Sequence, residues 1–237
     1  MALTTTGATD TGRRPARVLV VDDHPAVRRG LTEAINRTGD LTVCGEAATI
    51  AEANAAVRQE RPDAVIADLT LGNESGLELI KDLVTRHPGL PILVLSMHDE
   101  TFYAERALRA GAKGYIMKDE ALEDILGALR QVLSGRYYLT PRMSGRLLAQ
   151  FAGGDVQGRP AASIVDALTD RELEVFELIG RGHSTLDVAA SLHLSTKTVY
   201  THCDNIKRKL GLTSALELHQ RAFQWVEQER ADAGRSS

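Results

Sequence analysis

Cysteine is nearly missing from this chain: Cys44 and Cys203 are the only two among 237 residues, far apart and in neither a CxxC nor a paired-histidine spacing. That argues against a disulfide framework and a zinc site, and points to a reducing cytoplasm. Long apolar runs are missing too: none approaches the roughly 18 residues of a membrane span, and the Thr-, Gly- and Ala-rich start from Met1 to Arg14 lacks the apolar centre of a signal peptide. No membrane partner is expected, and the start reads as a disordered tail. There is no excess of positive charge, since 28 Lys and Arg face 32 Asp and Glu for a net charge of −4. Any contact with nucleic acid must therefore come from a local cluster. Internal repeats and low-complexity tracts are absent. What remains is 43% hydrophobic and 25% charged residues, enough apolar surface for a real core and a length that suits two modest domains better than one.

From Arg17 onward, short apolar runs alternate with amphipathic stretches, the rhythm of a parallel sheet with crossover helices. Strands are expected at Val18 to Val21, Leu41 to Gly45, Ala64 to Ala67, Pro91 to Leu95 and Gly114 to Met117. Helices are expected at Pro25 to Asn36, Ile50 to Arg61, Gly76 to Arg86, Glu100 to Ala110 and Ala121 to Leu133, with Thr49 and Ser75 as N-caps. The fold class is α/β, a five-stranded parallel doubly wound (βα)5 unit, followed by an all-α four-helix unit. The expected division is a tail over residues 1–15, the α/β unit over 16–135, a linker with a helix from Pro141 to Phe151 over 136–163, the helical unit over 164–228, and a polar tail over 229–237. Within the linker, Gly153 to Pro160 has flexible composition.

A doubly wound sheet places its site beyond the carboxyl ends of its strands. Those ends carry Asp22 and Asp23, Asp68, Ser96 and Lys118. Taken singly, each is an ordinary cap or solvated residue; together they converge on one edge. Three crowded carboxylates raise one another's pKa unless a cation sits among them, and an oxygen-rich site of this kind suits Mg²⁺. An aspartate beside a divalent cation and a lysine ammonium is equipped to attack a phosphoryl group, because both cations offset charge on the transferring oxygens. Asp68 is placed for that role.

These segments, Val18-Leu19-Val20-Val21-Asp22-Asp23-His24-Pro25, Ala67-Asp68-Leu69, Val94-Leu95-Ser96 and Gly114-Tyr115-Ile116-Met117-Lys118, resemble the receiver domain of two-component response regulators. The resemblance implies that Asp68 accepts a phosphoryl group from a sensor histidine kinase. It implies that Asp22, Asp23, Asp68 and the main-chain carbonyl of Thr70 hold Mg²⁺, and that Lys118 pairs with the phosphate. Ser96 and Tyr115 would be the switch pair, the aromatic ring turning inward on phosphorylation. Thr70 and His98 would tune the access of water to the phosphoryl group. Asp119 stands where many receivers have proline, so the cis peptide common there is not assumed after Lys118.

Downstream, Leu168-Thr169-Asp170-Arg171-Glu172 opens a helix with a capping box, Thr169 and Glu172. Ser184 caps a short helix with Val188, Ala189 and Leu192 inward, and Ser195 caps the next, with Val199, Ile206 and Leu210 inward. The segment beginning at Leu168, with the run from Gly182 to Leu212, resembles the LuxR-type four-helix output of the NarL/FixJ subfamily. The helix after Ser195 would be the reader, presenting Lys197, Thr198, Thr201, Asp204, Asn205 and Arg208 to a major groove of promoter DNA. Lys197, Lys207, Arg208 and Lys209 form the local basic cluster for phosphate contacts. Three departures stand out: Thr185-Leu186 where Asn-Lys is common, Tyr200 in place of a lysine, and Ala215 in place of an arginine.

The expectation is a phosphorylation-dependent transcriptional regulator rather than an enzyme, forming a homodimer on activation. An aspartate-nucleophile phosphohydrolase would carry a DxDx[TV] motif after its first strand, whereas Asp22 and Asp23 are adjacent and precede a helix. A regulator whose α/β unit is a constitutive dimerisation module would not need the complete set of acids, serine and lysine.

Overall fold

The structure, a computed structural model, describes residues 14–72, 74–145, 167–192 and 194–234. In chain order the elements are β1 (Ala16–Val21), α1 (Pro25–Asn36), β2 (Leu41–Ala47), α2 (Ile50–Glu60), β3 (Ala64–Ala67), β4 (Thr70–Leu71), β5 (Glu74–Ser75), α3 (Gly76–Arg86), β6 (Ile92–Ser96), α4 (Glu100–Ala110), β7 (Gly114–Met117) and α5 (Leu122–Leu133). The helical unit contains α6 (Asp170–Gly180), α7 (Thr185–Ser191), α8 (Thr196–Leu210) and α9 (Ala215–Gly234).

The five long strands form one parallel sheet in the order β2-β1-β3-β6-β7. The order reverses between β1 and β3, which opens the crevice where a doubly wound sheet binds its ligand. Side chains alternate across the sheet with period two. Leu19, Val21, Val65, Ala67 and Val94 pack with Val57, Leu79 and Phe102 of α2, α3 and α4 on one face. Val18, Val20, Ile66, Leu93 and Leu95 pack with Ile35 and Leu129 of α1 and α5 on the other.

Several boundaries differ from the sequence reading by a residue or two. Helix α2 stops at Glu60 because Arg61 adopts a left-handed φ of 47°, and Pro62 follows it, which disfavours a helical Arg61. Strand β2 runs two residues past Gly45, β6 covers Ile92 to Ser96, and α5 starts at Leu122. The β4-β5 hairpin was not expected; its strands are two residues each, too short to show alternation. Ser75 occupies the N-cap position of α3 without capping through its side chain. Helix α9 continues to Gly234, past Gln228 where a polar tail was expected. Residues 141–145 are helical, while the rest of the helix expected up to Phe151 and the Gly153 to Pro160 linker lie outside the described residues.

Two glycines mark close approaches. A Cβ on Gly76 would stand 2.0 Å from the carbonyl oxygen of Asp68, and one on Gly180 would stand 2.5 Å from that of Ala222, where α6 crosses α9.

Candidate functional site

Strand ends bring the acidic residues together. The side-chain oxygens of Asp22, Asp23 and Asp68 and a ring nitrogen of His24 lie within 4.8 Å of one another. Asp22 follows β1 directly and Asp68 follows β3, so the residue pairing of Val21 with Ala67 sets them side by side. Lys118, just beyond β7, places its Nζ 2.6 Å from Asp22 Oδ2 and 2.7 Å from Asp68 Oδ2. Asp68 is 4% exposed and Asp22 1%. Burial pushes the Asp68 carboxyl up to about 6, although Lys118 pulls the other way. Burial works against the Lys118 charge, but Asp68 and Asp22 outweigh it and hold the ammonium above its ordinary value.

One ammonium does not balance three carboxylates. Asp23 Oδ2 accepts from the backbone N–H of Gly72 at 3.0 Å. Asp23 Oδ1 is buried without a hydrogen-bond partner, with His24 Nδ1 2.6 Å away as its ionic neighbour. A buried, unpartnered carboxylate oxygen beside two further carboxylates is the donor set of a hard divalent cation, so the residues present fit Mg²⁺. Sequence reasoning did not place His24 in this cluster, although it adjoins Asp23.

Ser96 and Tyr115 both border the pocket, each 0% exposed. Ser96 Oγ accepts from the backbone N–H of His98 at 3.2 Å, and the Tyr115 hydroxyl donates to the carbonyl of His98 at 2.7 Å. The resemblance led us to expect a ring that turns inward on phosphorylation; here the ring is inside, held by the carbonyl of His98. Thr70 Oγ1 and His98 Nε2 are 2.9 Å apart, which joins the two residues expected to govern water access. Among the described residues there is no cis peptide, so the bond after Lys118 is trans.

In the helical unit the caps are those read from the sequence. Thr169 and Glu172 form a reciprocal capping box on α6, Ser184 and Asp187 form one on α7, and Ser195 accepts from the backbone of Thr198 at the start of α8.

Two family descriptions match this chain: "Response regulator receiver domain" over residues 18–130, and "Bacterial regulatory proteins, luxR family" over residues 166–222. Oxygen regulatory protein NreC of Staphylococcus carnosus is 37% identical over 211 residues, 87% of this chain and 96% of that protein. The chain belongs to the LuxR-family response regulators. Its counterpart in Staphylococcus aureus is 35% identical over the same share of each chain. A crystal structure of a LuxR-family two-component response regulator from Aurantimonas sp. SI85-9A1 superposes with a TM-score of 0.54 at 33% identity, covering 58% of this chain and 99% of that one. RcsB of Salmonella enterica serovar Typhimurium, solved on promoter rprA with BeF3-, shares the fold, with a TM-score of 0.55 at 24% identity over 87% of this chain and 97% of that one. This response regulator thus joins a receiver to a LuxR-type DNA-binding domain and is a phosphorylation-dependent transcriptional regulator by family. No helix among the described residues is long and apolar enough to cross a membrane.

On α8, the helix expected to read DNA, Val199 and Ile206 are buried, while Lys197, Tyr200, Thr201, Asp204 and Arg208 are exposed and Thr198 and Asn205 are half-buried. Much of the polar face is internally paired. Lys207 Nζ lies 2.9 Å from Asp204, Arg208 donates to Asn205 at 2.9 Å, and the Thr201 hydroxyl donates to the carbonyl of Lys197 at 3.0 Å. Lys209 turns back to Glu172 of the α6 capping box at 2.6 Å, so it is less available to DNA than the sequence cluster suggested.

The two domains touch through α6 and α9. Arg106 of α4 pairs with Asp170 at 2.8 Å and donates to the carbonyl of Leu168. Ser75 Oγ donates to Asp170 at 3.1 Å, and Arg171 Nη2 donates to the carbonyls of Gly72 at 3.3 Å and of Leu192 at 2.6 Å. His98 Nε2, already on Thr70, lies 3.6 Å from Glu174 Oε1. Burial pushes His98 down to about 4, with the charges of Arg171, Arg181 and Lys118 acting the same way. Burial pushes Glu174 up to about 7 against the pull of Arg171, and raises Glu177 as well.

Proposed function

We propose that Asp68 is the phosphoacceptor, taking a phosphoryl group from a phosphohistidine of a sensor histidine kinase. The observation that carries this reading is Lys118 Nζ bridging Asp22 and Asp68 at 2.6 and 2.7 Å beside the unpartnered oxygen of Asp23. A carboxylate oxygen of Asp68 attacks phosphorus, the bond from phosphorus to the donor nitrogen breaks, and Lys118 exchanges part of its contact with Asp68 for the incoming oxygens. Asp22, Asp23, Asp68 and the carbonyl of Thr70 would hold Mg²⁺, which supplies charge stabilisation for the transferring oxygens. The Ser96 hydroxyl would leave the backbone of His98 for the phosphoryl group, with Tyr115 held inward as its switch partner.

That exchange loosens the Ser96-Met97-His98 segment, to which Thr70, Tyr115 and Glu174 are tied. Docking of the DNA-binding domain on the receiver is thereby opposed by phosphorylation. The released form binds promoter DNA as a homodimer through Lys197, Thr198, Thr201, Asn205, Lys207 and Arg208, with Lys209 joining once it leaves Glu172. The exposure of Lys197, Thr201 and Arg208 in the docked state favours dimerisation over uncovering of the reading helix as the regulated step. A cytoplasmic location follows from the same reading, because kinase, nucleotide-fed phosphodonors and DNA meet there.

Incubation with acetyl phosphate and Mg²⁺ tests the site. Intact mass should rise by one phosphoryl group, the rise should need the cation, and Asp68→Asn should abolish it; modification persisting in that variant would place the acceptor elsewhere.

A further inference from the structure

Tyr200 is 60% exposed on α8, a large aromatic on the face that carries Lys197, Thr201, Asp204 and Arg208. Positions 197, 200, 201, 204 and 208 recur at helical spacing and form one stripe. Polar groups along it already have a partner within the helix: the Thr201 hydroxyl on the helix backbone, Asp204 on Lys207, and one arm of Arg208 on Asn205. Among the described residues, Lys197 and Tyr200 make no side-chain hydrogen bond or ion pair. With its hydroxyl committed to the carbonyl of Lys197, Thr201 has its methyl left to meet a ligand.

The stripe therefore offers an aromatic ring and a methyl group beside one ammonium. A major groove presents donors and acceptors on every base pair, but a single apolar group, the C5 methyl of thymine. A ring that rests on that methyl leaves water, and its phenolic end stays at the polar rim of the groove, which suits an amphipathic side chain. We propose that Tyr200, with the methyl of Thr201, is a specificity-determining residue that reads thymine by its C5 methyl, so that each half-site contains a required T·A pair. This rests on α8 being the reading helix of a DNA-binding domain.

The test uses the full chain treated with acetyl phosphate and Mg²⁺. Its preferred duplex is first selected from a random library, and each thymine is then replaced in turn by deoxyuridine, which deletes only the methyl. At one thymine per half-site, affinity should fall about fourfold, the factor corresponding to the ~0.8 kcal/mol of one buried methyl-sized group. In Tyr200→Ala the same replacement should change affinity by less than about 1.5-fold, and Tyr200→Phe should keep the uracil effect because the ring does the reading. Wild-type indifference to every uracil, or an undiminished uracil penalty in Tyr200→Ala, overturns the proposal. So does a Tyr200→Phe variant that loses affinity equally on all duplexes, since the hydroxyl would then be serving a phosphate. Selection that enriches no duplex defeats the DNA-binding reading itself and is told apart from these outcomes at the first step.

Discussion

The ring of Trp225 in α9 rests on the ring of Phe102 in α4, their centroids 4.5 Å apart and their planes tilted by 38°. Phe176 of α6 also neighbours the same indole, with centroids 5.6 Å apart. One aromatic stack thus runs from the receiver into the core of the DNA-binding domain, and the apolar cluster around it is continuous across both. Trp225 is the only tryptophan in the chain, so its emission reports whether the domains are docked.

Arg106→Ala removes the partner of Asp170 and a donor to Leu168 without touching the acidic pocket. Its tryptophan emission should be shifted to the red before any phosphodonor is added, because a half-buried carboxylate left with only the Ser75 hydroxyl and no countercharge opposes docking. Acetyl phosphate with Mg²⁺ should move the wild-type emission toward that of the variant. Unchanged emission in protein whose mass confirms phosphorylation would show that docking is not the controlled step.

Docking should weaken as pH rises from about 6.5 to about 8. Glu174 is raised to about 7 from its ordinary 4.5 and Glu177 moves the same way, so the docked state holds protons that the released state gives up, and docking is lost as pH climbs through that window. His98, lowered to about 4 from 6.5, acts in reverse and opposes Glu174 below 6.5. Above 6.5 Glu174 is unopposed. Glu174→Gln should therefore flatten the pH dependence of tryptophan emission; an unchanged slope would locate the titrating group elsewhere.

Gly76→Ala should cost about 1–3 kcal/mol of stability, the usual range for forcing an atom into a packed site, and slow acetyl phosphate incorporation at least tenfold. The added Cβ meets backbone rather than a flexible side chain: the carbonyl oxygen of Asp68 at 2.0 Å and the Cα of Leu69 at 2.7 Å. Gly30→Ala is the control, since a Cβ there has nothing within 4 Å and sits mid-helix in α1, where alanine gains roughly 0.5–1 kcal/mol. Thermal melts and intact mass on both variants decide the matter.

Asp204→Ala should strengthen binding to every duplex, because it frees Lys207 from a 2.9 Å ion pair on the exposed side of α8. If one phosphate contact is gained, the salt dependence steepens by about 0.9. A loss confined to one base position would instead mean that Asp204 accepts from a cytosine amino group. Salt titrations on the selected and a scrambled duplex separate the two.

The strand ends, the caps at Thr49, Thr169, Ser184 and Ser195 and the course of α8 were legible in the linear sequence because each depends on contacts within a few residues or on a period of two or 3.6. Asp22, Asp68, Ser96 and Lys118 had to converge once the strands were read as parallel, since successive strands of such a sheet deliver their carboxyl ends to one edge. The two-residue strands β4 and β5 left no trace, being shorter than any periodic signal. Tertiary structure alone decided the rest. Asp170, Glu174 and Trp225 read as ordinary residues of amphipathic helices, yet they face Arg106, His98 and Phe102 across 64, 76 and 123 positions of chain. Such pairing depends on how two finished surfaces meet, and no local pattern encodes it. The inward Tyr115 is of the same kind, because its place is set by the carbonyl of His98 on a neighbouring strand's loop, and only packing determines which of two staggered positions an aromatic side chain takes.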